Sequence, residues 1–112
     1  MLDLSDTPAG MISRLDASLA RHGQSVILRK TNSTDGQITV RACVRFYKPD
    51  EIAGIIQQGD SKVILSPTGL GEFGIPPQNG FVVVNGSPRR IILPNPIYVD
   101  DTLVRIEMQV RG

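Results

Sequence analysis

Alternation of apolar and polar residues is clearest between Ile38 and Tyr47. Ile38, Val40, Ala42, Val44 and Phe46 fall on one face of an extended chain, and Thr39, Arg41, Cys43, Arg45 and Tyr47 on the other. A period of two with one apolar face predicts an antiparallel strand buried on one side. The end of the chain repeats it. Val104, Ile106, Met108 and Val110 point one way, while Leu103, Arg105, Glu107, Gln109 and Arg111 point the other. Shorter apolar runs predict strands over residues 24–31, centred on Val26, Ile27 and Leu28, and over residues 62–66, centred on Val63, Ile64 and Leu65. Phe81, Val82, Val83 and Val84, then Asn85-Gly86, then residues 88–93 make the strongest hairpin signal, because Asn-Gly supplies both positive φ angles of a tight turn. Pro94 and Pro96 are expected to interrupt the ladder, and Asp100-Asp101 to make another turn.

One segment has the helical period instead. Met11, Ile12, Leu15 and Leu19 share a face, behind a Thr7-Pro8 start suited to the first turn. Gly23 is expected to stop this helix in the left-handed conformation. The prediction is therefore a mainly β domain spanning residues 1–112: a small antiparallel barrel or sandwich of about six strands over residues 24–112, with a short N-terminal helix in residues 1–23.

Two long connections stand out. Residues 48–60 join the second and third strands and carry Ile52, Ile55 and Ile56 at helical spacing behind Pro49, with Gly54 weakening a helix. A short capping helix and a segment ordered only against partners are both open readings of it. Residues 67–80 are rich in Gly and Pro, a composition that prevents a regular element and suits a functional or mobile loop, with residues 69–74 expected to be flexible. Its run from Gly69 to Gly74 echoes a phosphate-binding glycine pattern but lacks the strand–turn–helix setting.

Composition narrows the classes. With 112 residues, eight Pro, eleven Gly and a net charge of +1, the chain suits one turn-rich domain without a marked basic excess. One cysteine, Cys43, excludes an internal disulfide, and no apolar run approaches the roughly 18 residues of a membrane span. The acidic N-terminus lacks the pattern of a secretion signal, so a soluble, intracellular chain is expected.

Candidate chemistry is thin. His22 is alone at a helix end, and Cys43 lies between Arg41 and Arg45 without a placed base. Asp50, Glu51, Asp60, Glu72, Asp100 and Asp101 all sit in expected loops or turns, where solvation is the ordinary fate of an acid. No catalytic, metal-binding or cofactor-binding set is assigned, and an enzyme is not expected. Arg41, Arg45 and Tyr47 with Arg105 and Arg111 would form a basic stripe if their strands adjoin. Such a stripe could face single-stranded nucleic acid, or make charge-complementary contacts with protein neighbours, the preferred reading.

The order of these features resembles a known family. A helix, a hairpin into an alternating strand, a long Pro-led connection, Gly59-Asp60, an apolar strand, a Gly/Pro loop, Phe81-Val-Val-Val-Asn-Gly and a closing strand ending Gln109-Val110-Arg111 follow one another. This is similar to the small head-closure, or stopper, proteins in the neck of tailed phages and to related head–tail joining proteins. The resemblance implies a non-enzymatic virion protein, present in the host cytoplasm during assembly. It would join a ring, commonly sixfold, beneath the portal and adaptor, with tail terminator or tail tube proteins below and packaged double-stranded DNA in the channel. It implies no cofactor and no membrane. By position, residues 48–60 would project into that channel, with Pro49 leading in. Ile52, Ile55 and Ile56 would touch neighbouring subunits, and Gln57 and Gln58 would face a hydrated lumen. A tail-completion protein at the top of the tail tube, and a cellular barrel binding single-stranded nucleic acid, are the alternatives.

Overall fold

The computed structural model describes residues 7–112, so the expectation drawn from the acidic first residues lies outside the described part. Helix α1 spans Pro8–His22. The Thr7 hydroxyl accepts from the Gly10 amide at 3.0 Å, and Pro8 fills a first-turn position where no donor is needed. Gly23 ends α1 differently from the expectation. Its φ of −83° and ψ of −176° are extended, not left-handed. Glycine is required for close approach instead: a Cβ there would lie 2.6 Å from the Leu19 carbonyl oxygen and 2.9 Å from that of Ala42.

Six strands follow: β1 (Gln24–Arg29), β2 (Ile38–Phe46), β3 (Ser61–Leu65), β4 (Phe81–Val84), β5 (Ser87–Val99) and β6 (Thr102–Arg111). They close into an antiparallel barrel in the order β1-β2-β3-β6-β5-β4. Its interior takes the alternating apolar residues of β6, with Val104, Ile106, Met108 and Val110 all buried. On β2, Ala42 is buried and Ile38, Val40 and Val44 pack against the core. Phe46 breaks the pattern and is 70% exposed. Pairing explains this: β1 begins at Gln24, opposite Ala42, so the far end of β2 has no β1 neighbour.

Both tight hairpins use two left-handed residues. Asn85 and Gly86 have φ of 52° and 80°, and Asp100 and Asp101 have 50° and 62°. Contrary to the expectation from sequence, the prolines do not interrupt β5; Pro94 pairs with Met108 and Pro96 with Ile106 inside it. A proline keeps its place in an antiparallel ladder where its nitrogen points away from the partner, and two prolines two residues apart share that phase. The other side of β5 is open there, because β4 pairs with it only from Ser87 to Arg90.

The Gly/Pro connection is not a free loop. Leu70 and Phe73 are part of the buried core, and Gly71–Phe73 forms a 3₁₀ turn. The Thr68 hydroxyl also donates to Asp16 of α1 at 2.8 Å. Short β3 leaves the first halves of β2 and β6 without a common neighbour, and α1 packs on those two strands. Antiparallel order gives the barrel two distinct ends. One carries residues 47–60, the Asn85-Gly86 turn and the end of β6; the other carries residues 30–37, residues 66–80 and the Asp100-Asp101 turn.

Candidate functional site

Residues 47–60 form three tight turns in succession, not a helix. The first is the 3₁₀ turn Pro49–Glu51. Arg45 clamps it to the end of β2, donating to both Glu51 carboxylate oxygens at 3.1 and 3.3 Å, while the Lys48 amide donates to Glu51 at 2.9 Å. The Arg45 hydrogen bonds, then the Lys48 amide, hold the Glu51 carboxyl at about 2. In the second turn the Ile56 amide donates to the Ala53 carbonyl, and Gly54 takes a φ of 60° that ends any helical continuation of the isoleucine spacing. In the third the Asp60 amide donates to the Gln57 carbonyl, with Gly59 at φ 94°.

Asp60 anchors the whole segment. Sequence reasoning treats it as a solvated loop acid; it is only 2% exposed. Its carboxylate accepts from Arg111 Nε at 2.8 Å and Nη2 at 3.0 Å, from Gln109 Nε2 at 2.7 Å, and from the Gln57 amide at 2.9 Å. Gln109 and Arg111 also donate to the Ile55 carbonyl, at 2.9 and 3.1 Å. The carboxylate and a turn carbonyl are thus satisfied by the same two side chains of β6. Arg111 foremost, opposed by burial and helped by Gln57 and Gln109, brings the Asp60 carboxyl down to about 2. Nothing local announces this cluster, since Asp60 and Arg111 are 51 residues apart. The one available signal was Gln109, an uncharged polar residue near the end of the closing strand.

With its base held this way, the segment presents Ile55, 59% exposed, and exposed Pro49, Gln57 and Gln58, while Ile52 and Ile56 are half-buried. Between the segment and the outer barrel face lies a groove of about 290 Å³. Tyr47, Ile55, Ile56 and Leu93 give it apolar walls, and the Lys62–Glu107 ion pair lies among its lining residues. Burial pushes the Tyr47 hydroxyl above its ordinary value.

The four arginines of the expected stripe are not one surface, because β3 lies between β2 and β6. Arg41 caps α1, donating to the carbonyls of Leu19 at 3.2 Å and Gly23 at 2.8 Å, where a cation also offsets the helix dipole. Arg45 is held by Glu51, Arg105 by Glu107 at 2.8 Å, and Arg111 by Asp60. His22 is exposed in the last turn of α1, and Cys43 is half-buried on β2. Among the described residues, no group of three or more His, Cys, Asp and Glu side chains is placed to hold a metal, and no helix is long and apolar enough to cross a membrane. No protein-family model, curated protein or solved structure matches the chain.

Proposed function

We propose that this chain is a structural neck protein of a tailed phage, joining the filled head to the tail as one subunit of a ring that helps close the DNA channel. The observation that carries the reading is the construction of residues 47–60. A closed barrel carries a compact run of turns at one end, fastened to β6 through both the buried Asp60 carboxylate and the Ile55 carbonyl. Such a fastening suits a part that must bear load against neighbouring subunits and DNA. A nucleic-acid-binding barrel is supported less, because Arg41, Arg45, Arg105 and Arg111 each already have an intramolecular acceptor. In this reading Ile52, Ile55 and Ile56 contact subunits, and Gln57 and Gln58 face the channel. The partners are the portal or adaptor ring above and the tail terminator or tail tube below. The protein resides in the virion neck.

Electron microscopy of particles assembled without this protein tests the reading. DNA-filled heads that leak and lack tails are expected; normal, infectious particles overturn it. Tailless heads that retain their DNA would assign joining without closure. For the segment itself, Ile55→Ser leaves the Ile55 carbonyl and hence the Asp60 cluster in place. Particles carrying it are expected to lose DNA faster, and unchanged retention removes the gating role.

A further inference from the structure

A second recess lies at the opposite end of the barrel from residues 47–60. It is a groove of about 440 Å³ between α1 and the β5–β6 hairpin. Met11, Leu15, Ile97, Val99 and Val104 give it an apolar lining, and Arg14 stands beside them. The most exposed large apolar side chain among the described residues, Phe46, is at the other end, where β2 outruns β1. Phe46 stands on a fixed platform. Arg45 donates both to the Phe46 carbonyl and to Glu51, which folds the Pro49–Glu51 turn against the end of β2. Glu51 is thereby neutralised, and Asp50 is the acid of that turn left exposed. Among the described residues, neither Asp50 nor Arg14 has an ion-pair partner.

Resting on the ring reading above, we infer that the α1 groove of one copy receives Phe46 of the next, with Asp50 of the incoming copy set against Arg14. An exposed aromatic ring flanked by Lys48 and Asp50, and an apolar groove flanked by Arg14 and the Asp100-Asp101 turn, are complementary in shape and carry unpaired charges of both signs, and a second copy supplies all of them. The two surfaces lie at opposite ends of the barrel, so the contact is head-to-tail. Each copy gives one surface and receives the other, and the series closes as a ring when the rotation per step divides a full turn. A two-fold dimer would instead need one patch that complements itself.

Cross-linking between copies tests the contact. On a Cys43→Ser background, Ser18→Cys places a thiol in the groove and Lys48→Cys places one beside Phe46. A short bis-maleimide added to a mixture of the two variants is expected to join residue 18 of one copy to residue 48 of another. Adding Phe46→Ser to the Lys48→Cys copy should lower that yield at least tenfold. Asp50→Arg should lower it too, and Arg14→Asp on the other copy should restore it. A yield equal to that of a Ser87→Cys control, or one indifferent to Phe46→Ser, overturns the contact. Rings that form without the 18–48 link remove this contact and leave the neck reading standing. Normal particles made without the protein remove the neck reading whether or not the link forms.

Discussion

Asp60 and Arg111 form a two-bond ion pair that fastens the end of the β2–β3 crossing to the last residue of β6. The carboxylate is buried, while the guanidinium is one-third exposed. Replacing Asp60 by Asn keeps the shape and the Gln57 turn but leaves Arg111 without its counter-charge. A loss of about 1 kcal/mol is expected, below the full cost of breaking a buried pair because Arg111 reaches solvent. Urea unfolding of Asp60→Asn against the parent measures it. Arg111→Lys should also destabilise, because a single ammonium cannot reproduce the two-bond fork. Unchanged midpoints for both variants would show that the crossing is held by other contacts.

The same pair sets an acid limit. The Asp60 carboxyl is lowered from 3.8 to about 2 in the folded protein, so folding favours its ionised form. Its stabilisation is complete above the unfolded value near 4 and disappears as pH falls toward 2. A shift of this size corresponds to about 2 kcal/mol, reduced by the solvent that reaches Arg111. Glu51 shifts in the same direction and titrates over the same window. Thermal midpoints should therefore hold from neutral pH to about 4 and then fall. Asp60→Asn should flatten that fall, and an Asp60→Asn profile parallel to the parent would assign it to other carboxylates.

The open side of β5 carries Pro94 and Pro96, which offer no N–H to an incoming strand. Replacing both with valine restores the donors while keeping the apolar, strand-favouring character. The double variant is expected to associate with rising concentration, seen as a faster sedimenting species. A variant that stays at the parent's size would mean that this edge needs no protection.

The Asp100-Asp101 turn places two non-glycine residues at positive φ, next to one another and with like charge. Asp101→Gly removes one left-handed penalty and one charge. A gain of roughly 1 kcal/mol is expected from chemical denaturation. A loss would point to a stabilising role for the Asp101 side chain.

These cases separate what local pattern conveys from what it does not. The period-two faces of β2 and β6, the Thr7-Pro8 helix start and the Asn85-Gly86 turn were legible because each depends on residues within a few positions. Phe46 follows the same alternation and is nevertheless exposed, since its burial depends on where β1 begins. Pro94 and Pro96 look like breakers until the ladder shows one-sided pairing. Gly and Pro made residues 67–80 look free, but Leu70 and Phe73 find their place in a core formed by other strands.

The chain by itself determined a β-rich domain with a helix in front, because side-chain periodicity and turn chemistry act over short range. Tertiary structure decided the rest. Closing the barrel put β3 between the arginine-bearing strands, brought β6 beneath the crossing, and turned Asp60 from a loop acid into a buried anchor. The reason is physical: a carboxylate is driven from water only where strands distant in sequence supply its donors, and strand order alone decides which donors those are.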